Sequence, residues 1–234
     1  MMNFSITFTT ALIVFFLGQA QITLASAFDP PPGQGTPGST AGGASRPSQP
    51  TCAASNRDIP TALAPRTYLG LTTQAHPTFW VYLPSTRAKT LEFSLFDRQR
   101  KGVYQTQIAI ENKSGLVKIT LPETAPALNL NQAYNWTVAL VCNPQRRTED
   151  WVVGGWIQRQ TPTVQFQQNL NLASTDLDRA KLYARSQFWY DAISVLINSN
   201  PSSSEPFTNF WSETIKTAGL EKMNAPHTQT IVNR

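Results

Sequence analysis

The chain has 234 residues, 14% of them charged, with 19 Lys and Arg against 14 Asp and Glu for a net charge of +5, two cysteines and two histidines. This length suits one domain or a domain with an appendage, and so few Cys and His residues leave a structural zinc site without enough ligands. Lys and Arg outnumber Asp and Glu by 12 to 7 over residues 51–173 and match them at 6 each over 174–234, so the positive excess sits in the middle of the chain.

Residues 1–27 read as an export signal. The apolar run ALIVFFLG (11–18) leads to Ala25-Ser26-Ala27, the small-residue pattern of a signal peptidase site. The n-region lacks the usual Lys or Arg, but the apolar run falls short of the roughly 20 residues that a bilayer span needs, so the expectation is cleavage and no stable membrane span. The stretch 28–50, FDPPPGQGTPGSTAGGASRPSQP, is rich in Pro and Gly with little to bury, and reads as a disordered linker. No lipobox cysteine follows the signal. In an oxidising compartment the even pair Cys52 and Cys142 is expected to form a disulfide. Closing a 90-residue loop, it would contribute at most about 4–5 kcal/mol of chain entropy.

Residues 51–165 are expected to fold as a β-sandwich. Short runs rich in β-branched and aromatic residues follow one another: PTFWVYL (77–83), TLEFSLFD (90–97), VYQTQIAI (103–110), GLVKITL (115–121), YNWTVALVC (134–142) and WVVGGWIQR (151–159). Alternation places Tyr104, Thr106, Ile108 and Ile110 on one face and Tyr134, Trp136, Val138 and Leu140 on another. DRQRKG and ENKSG supply hairpin turns. Six or seven antiparallel strands at this spacing predict an immunoglobulin- or fibronectin-like sandwich. In HPTFWVYLP (76–84) the prolines bracket a strand-length run, where a missing amide donor does least harm. His76 then reads as a strand-entry residue, because its local sequence offers no partner for general base catalysis.

The period changes near residue 170. Leu177, Ala180, Ala184, Phe188, Ala192 and Leu196 recur at helical spacing behind Ser174 or Thr175 as N-cap, predicting one helix that ends at Asn200-Pro201. A second helix runs from Pro206 to Gly219. Together they make a C-terminal α-helical hairpin over 174–220, followed by a frayed tail at 221–234. One such hairpin cannot bury its apolar face alone, so Phe188, Trp189, Phe210 and Trp211 need a surface to pack on.

The sequence offers no nucleophile motif and no phosphate loop. Glu92, Asp97, Glu149 and Asp150 read as charged turn residues rather than a glycosidase pair. In WVVGGWIQR, Trp151 and Trp156 have opposite parity, so one of them is expected to face outward unless a bulge at the glycines resets the register. An outward Trp, with Arg98, Arg100 and Lys101 in one turn and Arg146 and Arg147 in another, is the candidate ligand or partner surface. On an exported protein such a basic surface points to anionic envelope polymers ahead of nucleic acid.

Cys52, His76-Pro77-Thr78-Phe79-Trp80, ALVCNPQRR and GGWIQR, in that order, resemble a family of exported proteins found mainly in cyanobacteria and described as a domain of unknown function. The resemblance runs from GGASR (42–46) to the second helix near Leu220. It implies a signal peptide, a β-rich module and a helical tail, and it implies no activity or site. The combined expectation is an exported, periplasmic or secreted, non-enzymatic interaction module of the cell envelope with no cofactor or metal. Its expected partner is an envelope protein or an anionic envelope polysaccharide. The alternative is a polysaccharide-binding or polysaccharide-processing protein.

Overall fold

The structure, a computed structural model, describes Cys52, residues 60–110, 114–199 and 204–220, and the backbone of Thr230–Val232. The predicted signal segment (1–27) and linker (28–50) lie outside the described residues. The protein is mainly β, with two sheets and four helices among the described residues. The first sheet has the order β1 (Thr61–Ala62), β3 (Thr78–Leu83), β6 (Gly115–Thr120), β9 (Thr230–Val232). The second has the order β2 (Gly70–Thr72), β8 (Trp151–Arg159), β7 (Ala133–Leu140), β4 (Thr90–Phe96), β5 (Gly102–Ala109).

Alternation explains which faces meet. Leu91, Phe93 and Leu95 of β4 and Tyr134, Trp136, Val138 and Leu140 of β7 are buried on one face of the second sheet. Phe79 of β3 closes on them, its ring 5.0 Å from those of Phe93 and Trp136, so the two sheets share one core. β3 is buried on both faces, because Trp80 looks the other way and donates its indole N–H to Ser194 at 3.1 Å. Pro77 and Pro84 lie just outside this strand.

Two pairings differ from the all-antiparallel expectation: β2 runs parallel to β8, and β9 parallel to β6. Both are three-residue edge strands that arrive by a long connection instead of a hairpin, which frees their direction from the hairpin constraint. Thr230–Val232 falls in the stretch read as a frayed tail, and the strand corrects that reading for these three residues.

The helical part also differs from the predicted hairpin. An additional helix, α1 (Val164–Leu172), is capped by Thr163, whose side chain accepts from the Phe166 amide. The expected boundary at 165 therefore falls inside a helix. The predicted first helix is two helices, α2 (Asp176–Arg185) and α3 (Trp189–Asn198), separated by a sharp stop. Gln187 takes φ 67°, its amide bonds to the Ala184 carbonyl, and the Phe188 amide bonds to the Tyr183 carbonyl, both at 2.9 Å. This is the Schellman arrangement, completed by contact between the Tyr183 and Phe188 rings. The apolar period runs through the break, which is why periodicity alone does not register it. The last helix, α4 (Glu205–Thr217), ends with the same device, Gly219 at φ 73° and the Leu220 amide bonded to the Ile215 carbonyl.

The break frees α3 to dock on the β-sheets. The Trp189 indole donates to the Leu63 carbonyl at 2.9 Å. Tyr190 enters the seam between the sheets, where its hydroxyl accepts from the Trp136 indole at 2.7 Å and donates to the Trp156 carbonyl at 2.9 Å. Glycines make the room: a Cβ on Gly70 would lie 2.6 Å from the Tyr190 ring, and one on Gly155 would strike the Ala64 methyl. Phe188 packs instead against Phe166 and Tyr183.

Candidate functional site

The cysteines and the candidate surface residues all lie among the described residues. Cys52 and Cys142 form a disulfide. Cys52 is strapped to the β3–β4 connection, its carbonyl accepting from the Arg87 amide and the Thr86 hydroxyl. The pairing of β7 with β8 runs without a slip through both glycines, with Trp136 opposite Gly155 and Thr137 opposite Gly154. Trp151 therefore faces the core and is buried, while Trp156 lies on the outer face and is half-exposed.

Arg98, Arg100 and Lys101 occupy the exposed β4–β5 turn, which Asp97 ties together through the Lys101 amide. Arg146 and Arg147 lie at a 3-10 turn between β7 and β8 and are neutralised locally. Arg146 pairs with Glu149 at 2.9 Å, and Arg147 pairs with Asp150 and Glu92. The hydrogen bonds that Arg147 donates to these two carboxylates raise its guanidinium above the ordinary range. Asp150 is buried, also accepting from the Cys142 amide, so this carboxylate serves the turn. The structure separates the two basic turns. β4 and β7 are antiparallel with Phe96 opposite Asn135 and Leu91 opposite Leu140, which puts the turns at opposite ends of the sheet, about 20 Å apart at the rise of a strand.

The outer face of the second sheet carries rows of cross-strand neighbours. One is Trp156, Asn135 and Phe96; the next is Gly154, Thr137, Ser94 and Gln105. The first row lies at the end of the sheet that bears Arg98, Arg100 and Lys101, so only this basic turn adjoins the outward tryptophan.

A second site was not anticipated. Between the β2–β3 connection and the α2–α3 corner lies a cleft of about 250 Å³. Thr72, Gln74, His76 and Thr78 line it from the sheets, and Tyr183, Tyr190, Asp191, Ser194 and Val195 from the helices. Asp191 sits at its base, 6% exposed. Its carboxylate accepts from the Thr73 amide at 3.1 Å, the Thr73 hydroxyl at 2.7 Å and the Gln74 side-chain amide at 3.4 Å. Burial pushes the Asp191 carboxyl upward, opposed by hydrogen bonds from Thr73, Thr72 and Gln74. The Tyr183 hydroxyl is raised by burial and by the neighbouring Asp191 charge. Burial also raises the Tyr190 hydroxyl, against the pull of its bond from Trp136.

His76 lies 3.1 Å from the Ala125 carbonyl through Nε2. A carbonyl oxygen only accepts, so Nε2 carries a proton, and in that tautomer of the imidazole Nδ1 is an acceptor. The histidine thus holds the strand entry in place while lining the cleft. The sequence signal for this site was a charged residue inside the run Trp189-Tyr190-Asp191-Ala192-Ile193. A carboxylate in a buried helix face needs donors from another element, and the β2–β3 connection provides them. Among the described residues no three His, Cys, Asp or Glu side chains gather as a metal site would require.

A protein-family sequence model described as Domain of Unknown Function (DUF928) matches residues 41–227. The chain belongs to this family. The DUF928 match takes in β1 to β8 and the four described helices, so the docked helices and both sheets apart from β9 belong to one family unit. No curated protein and no solved structure matches the chain.

Proposed function

We propose that this DUF928 protein is an exported, non-enzymatic interaction module of the cell envelope, built on an immunoglobulin-type scaffold. The scaffold reading is supported by strand order. β1-β3-β6 faces β8-β7-β4-β5 just as strands A-B-E face G-F-C-C′, with β2 in the place of an A′ strand beside G. It is supported again at the start of β7, where the Tyr134 hydroxyl accepts from the Asn129 amide, five residues upstream, at 3.1 Å, the geometry of a tyrosine corner. The disulfide, and the lack of any described helix long and apolar enough to cross a membrane, are compatible with an extracytoplasmic location.

The observation that carries the interaction reading is the division of surfaces. α3 docks at the β2 and β3 side through Trp189, Tyr190 and Ser194, and the outer face of β8-β7-β4-β5 keeps half-exposed Trp156 and Phe96 with the exposed Gln105 and Gln107. A sheet face with aromatic side chains among polar ones has the composition of a binding surface. The test is photo-crosslinking in the native envelope from probes at Gln105 and Gln107, with Ser212 on the exposed side of α4 as control. Discrete protein adducts from the sheet positions and none from Ser212 are expected. The absence of adducts from both sheet positions refutes the interaction surface. The second reading, polysaccharide binding, is favoured by the half-exposed Trp156 near the exposed Arg98, Arg100 and Lys101 turn. It predicts polysaccharide adducts at the same probes.

A further inference from the structure

We infer that the cleft between the β2–β3 connection and the α2–α3 corner is a binding site for a small neutral polyol, in chemical terms a single sugar ring such as the end of a glycan chain. The site is separate from the outer sheet face and stands on different residues.

Size is the first argument. About 250 Å³ corresponds to the liquid volume of roughly eight waters at about 30 Å³ each. One six-membered ring with its hydroxyls fits that space.

The wall chemistry is the second. Ser194 accepts the Trp80 indole N–H, which leaves its own hydroxyl proton to donate. The Tyr183 ring packs against Phe166 and Phe188, while its hydroxyl makes no hydrogen bond to a described residue. His76 donates through Nε2 to Ala125 and presents Nδ1 as an acceptor. Asp191 accepts three hydrogen bonds from Thr73 and Gln74 and a further one from Thr72, which takes up the roughly four acceptor positions that a carboxylate offers. Donors and acceptors therefore both line a cleft whose wall also includes the half-exposed, apolar Val195. Ring hydroxyls donate and accept in the same way, and a sugar's C–H face matches the apolar part of the wall.

Charge is the third. No Lys or Arg lines the cleft, and its one carboxylate is buried, so a phosphate, sulfate or carboxylate ligand would find no cationic side chain in the wall to pair with. Asp191 in turn already spends most of its acceptor capacity on the Thr73–Gln74 segment, which favours a neutral ligand over an amine.

Saturation-transfer NMR on the intact disulfide-bonded protein tests this, with glucose, galactose and N-acetylglucosamine as probes and choline and acetate as charged controls. The expected result is a saturable millimolar signal from the ring protons of at least one sugar, together with a shift of the Trp80 indole N–H resonance, assigned with Trp80→Phe. Tyr183→Phe and Ser194→Ala, which preserve side-chain volume nearly intact, should each weaken binding about five- to tenfold, the worth of one hydrogen bond. Three outcomes overturn the inference: no saturable signal from any sugar, binding unchanged in both variants, or choline binding tighter than every sugar. The Trp80 resonance is read in the unsubstituted cleft, so the inference stays testable even if one variant fails to fold. Crosslinking at Gln105 reads the other face and is not affected by this result.

Discussion

The hydroxyl of Tyr190 is a small group with a measurable role, and Tyr190→Phe isolates it. The residue is 2% exposed and Trp136 is 0% exposed, so no water replaces what the substitution removes. Two hydrogen bonds are lost, one from the Trp136 indole at 2.7 Å and one to the Trp156 carbonyl at 2.9 Å. A buried donor left without a partner costs about 1–3 kcal/mol. The shed desolvation of the hydroxyl offsets part of the second bond. The expected net loss is about 2 kcal/mol, or a fall in Tm of about 4–8 °C for a domain of this size. The assay is urea unfolding of the oxidised protein, read as a lower midpoint with an unchanged slope. A double-mutant cycle with Trp136→Phe attributes the effect: with the indole donor gone, Tyr190→Phe should cost at least about 1 kcal/mol less. A Tyr190→Phe protein within about 0.5 kcal/mol of wild type, or a cycle without coupling, would refute the claim that this bond fastens α3 to the second sheet.

Three further outcomes follow from the geometry. Gln187→Gly should raise stability by about 1 kcal/mol by relieving a non-glycine residue from positive φ, a gain visible as a higher urea midpoint. Asp191→Asn should flatten the pH dependence of stability. Because the folded carboxyl titrates above the ordinary 3.8, the folded state binds the proton more tightly than the unfolded chain. The wild type therefore has this contribution in full below about 3.8 and loses it as pH rises through the folded value, so unfolding curves at stepped pH should show the difference between the two proteins growing over that window. Replacing Cys52 and Cys142 by Ser together should cost about 2–5 kcal/mol, with reduction of the wild type giving the same midpoint.

The candidate sites were legible to different degrees. Opposite parity for Trp151 and Trp156 follows from a two-residue period, and the unbroken register made Trp156 the outward one. The two basic turns read as one surface in the sequence, yet antiparallel pairing of β4 with β7 sends them to opposite ends, and local ion pairs occupy Arg146 and Arg147. Asp191 was passed over because its donors stand more than a hundred residues away in the chain, at Thr73 and Gln74.

What the sequence determined by itself are the features with a local cause. Alternating apolar residues set the strand faces, prolines bracketed β3, Thr175 caps α2, and Gly219 stops α4. An even cysteine count, in a chain whose sequence reads as exported, pointed to the disulfide. Tertiary structure decided what has no local signature: the parallel edge strands, the split between α2 and α3, and the docking of Tyr190 in the seam. Helical period continues across Gln187 whether or not the backbone does, so propensity could not choose. The choice falls to contacts made only on folding, where Trp189 and Tyr190 find their partners at Leu63, Trp136 and Trp156. A helix running straight through Gln187 would set these residues in a different direction and leave the buried indole of Trp136 without its acceptor.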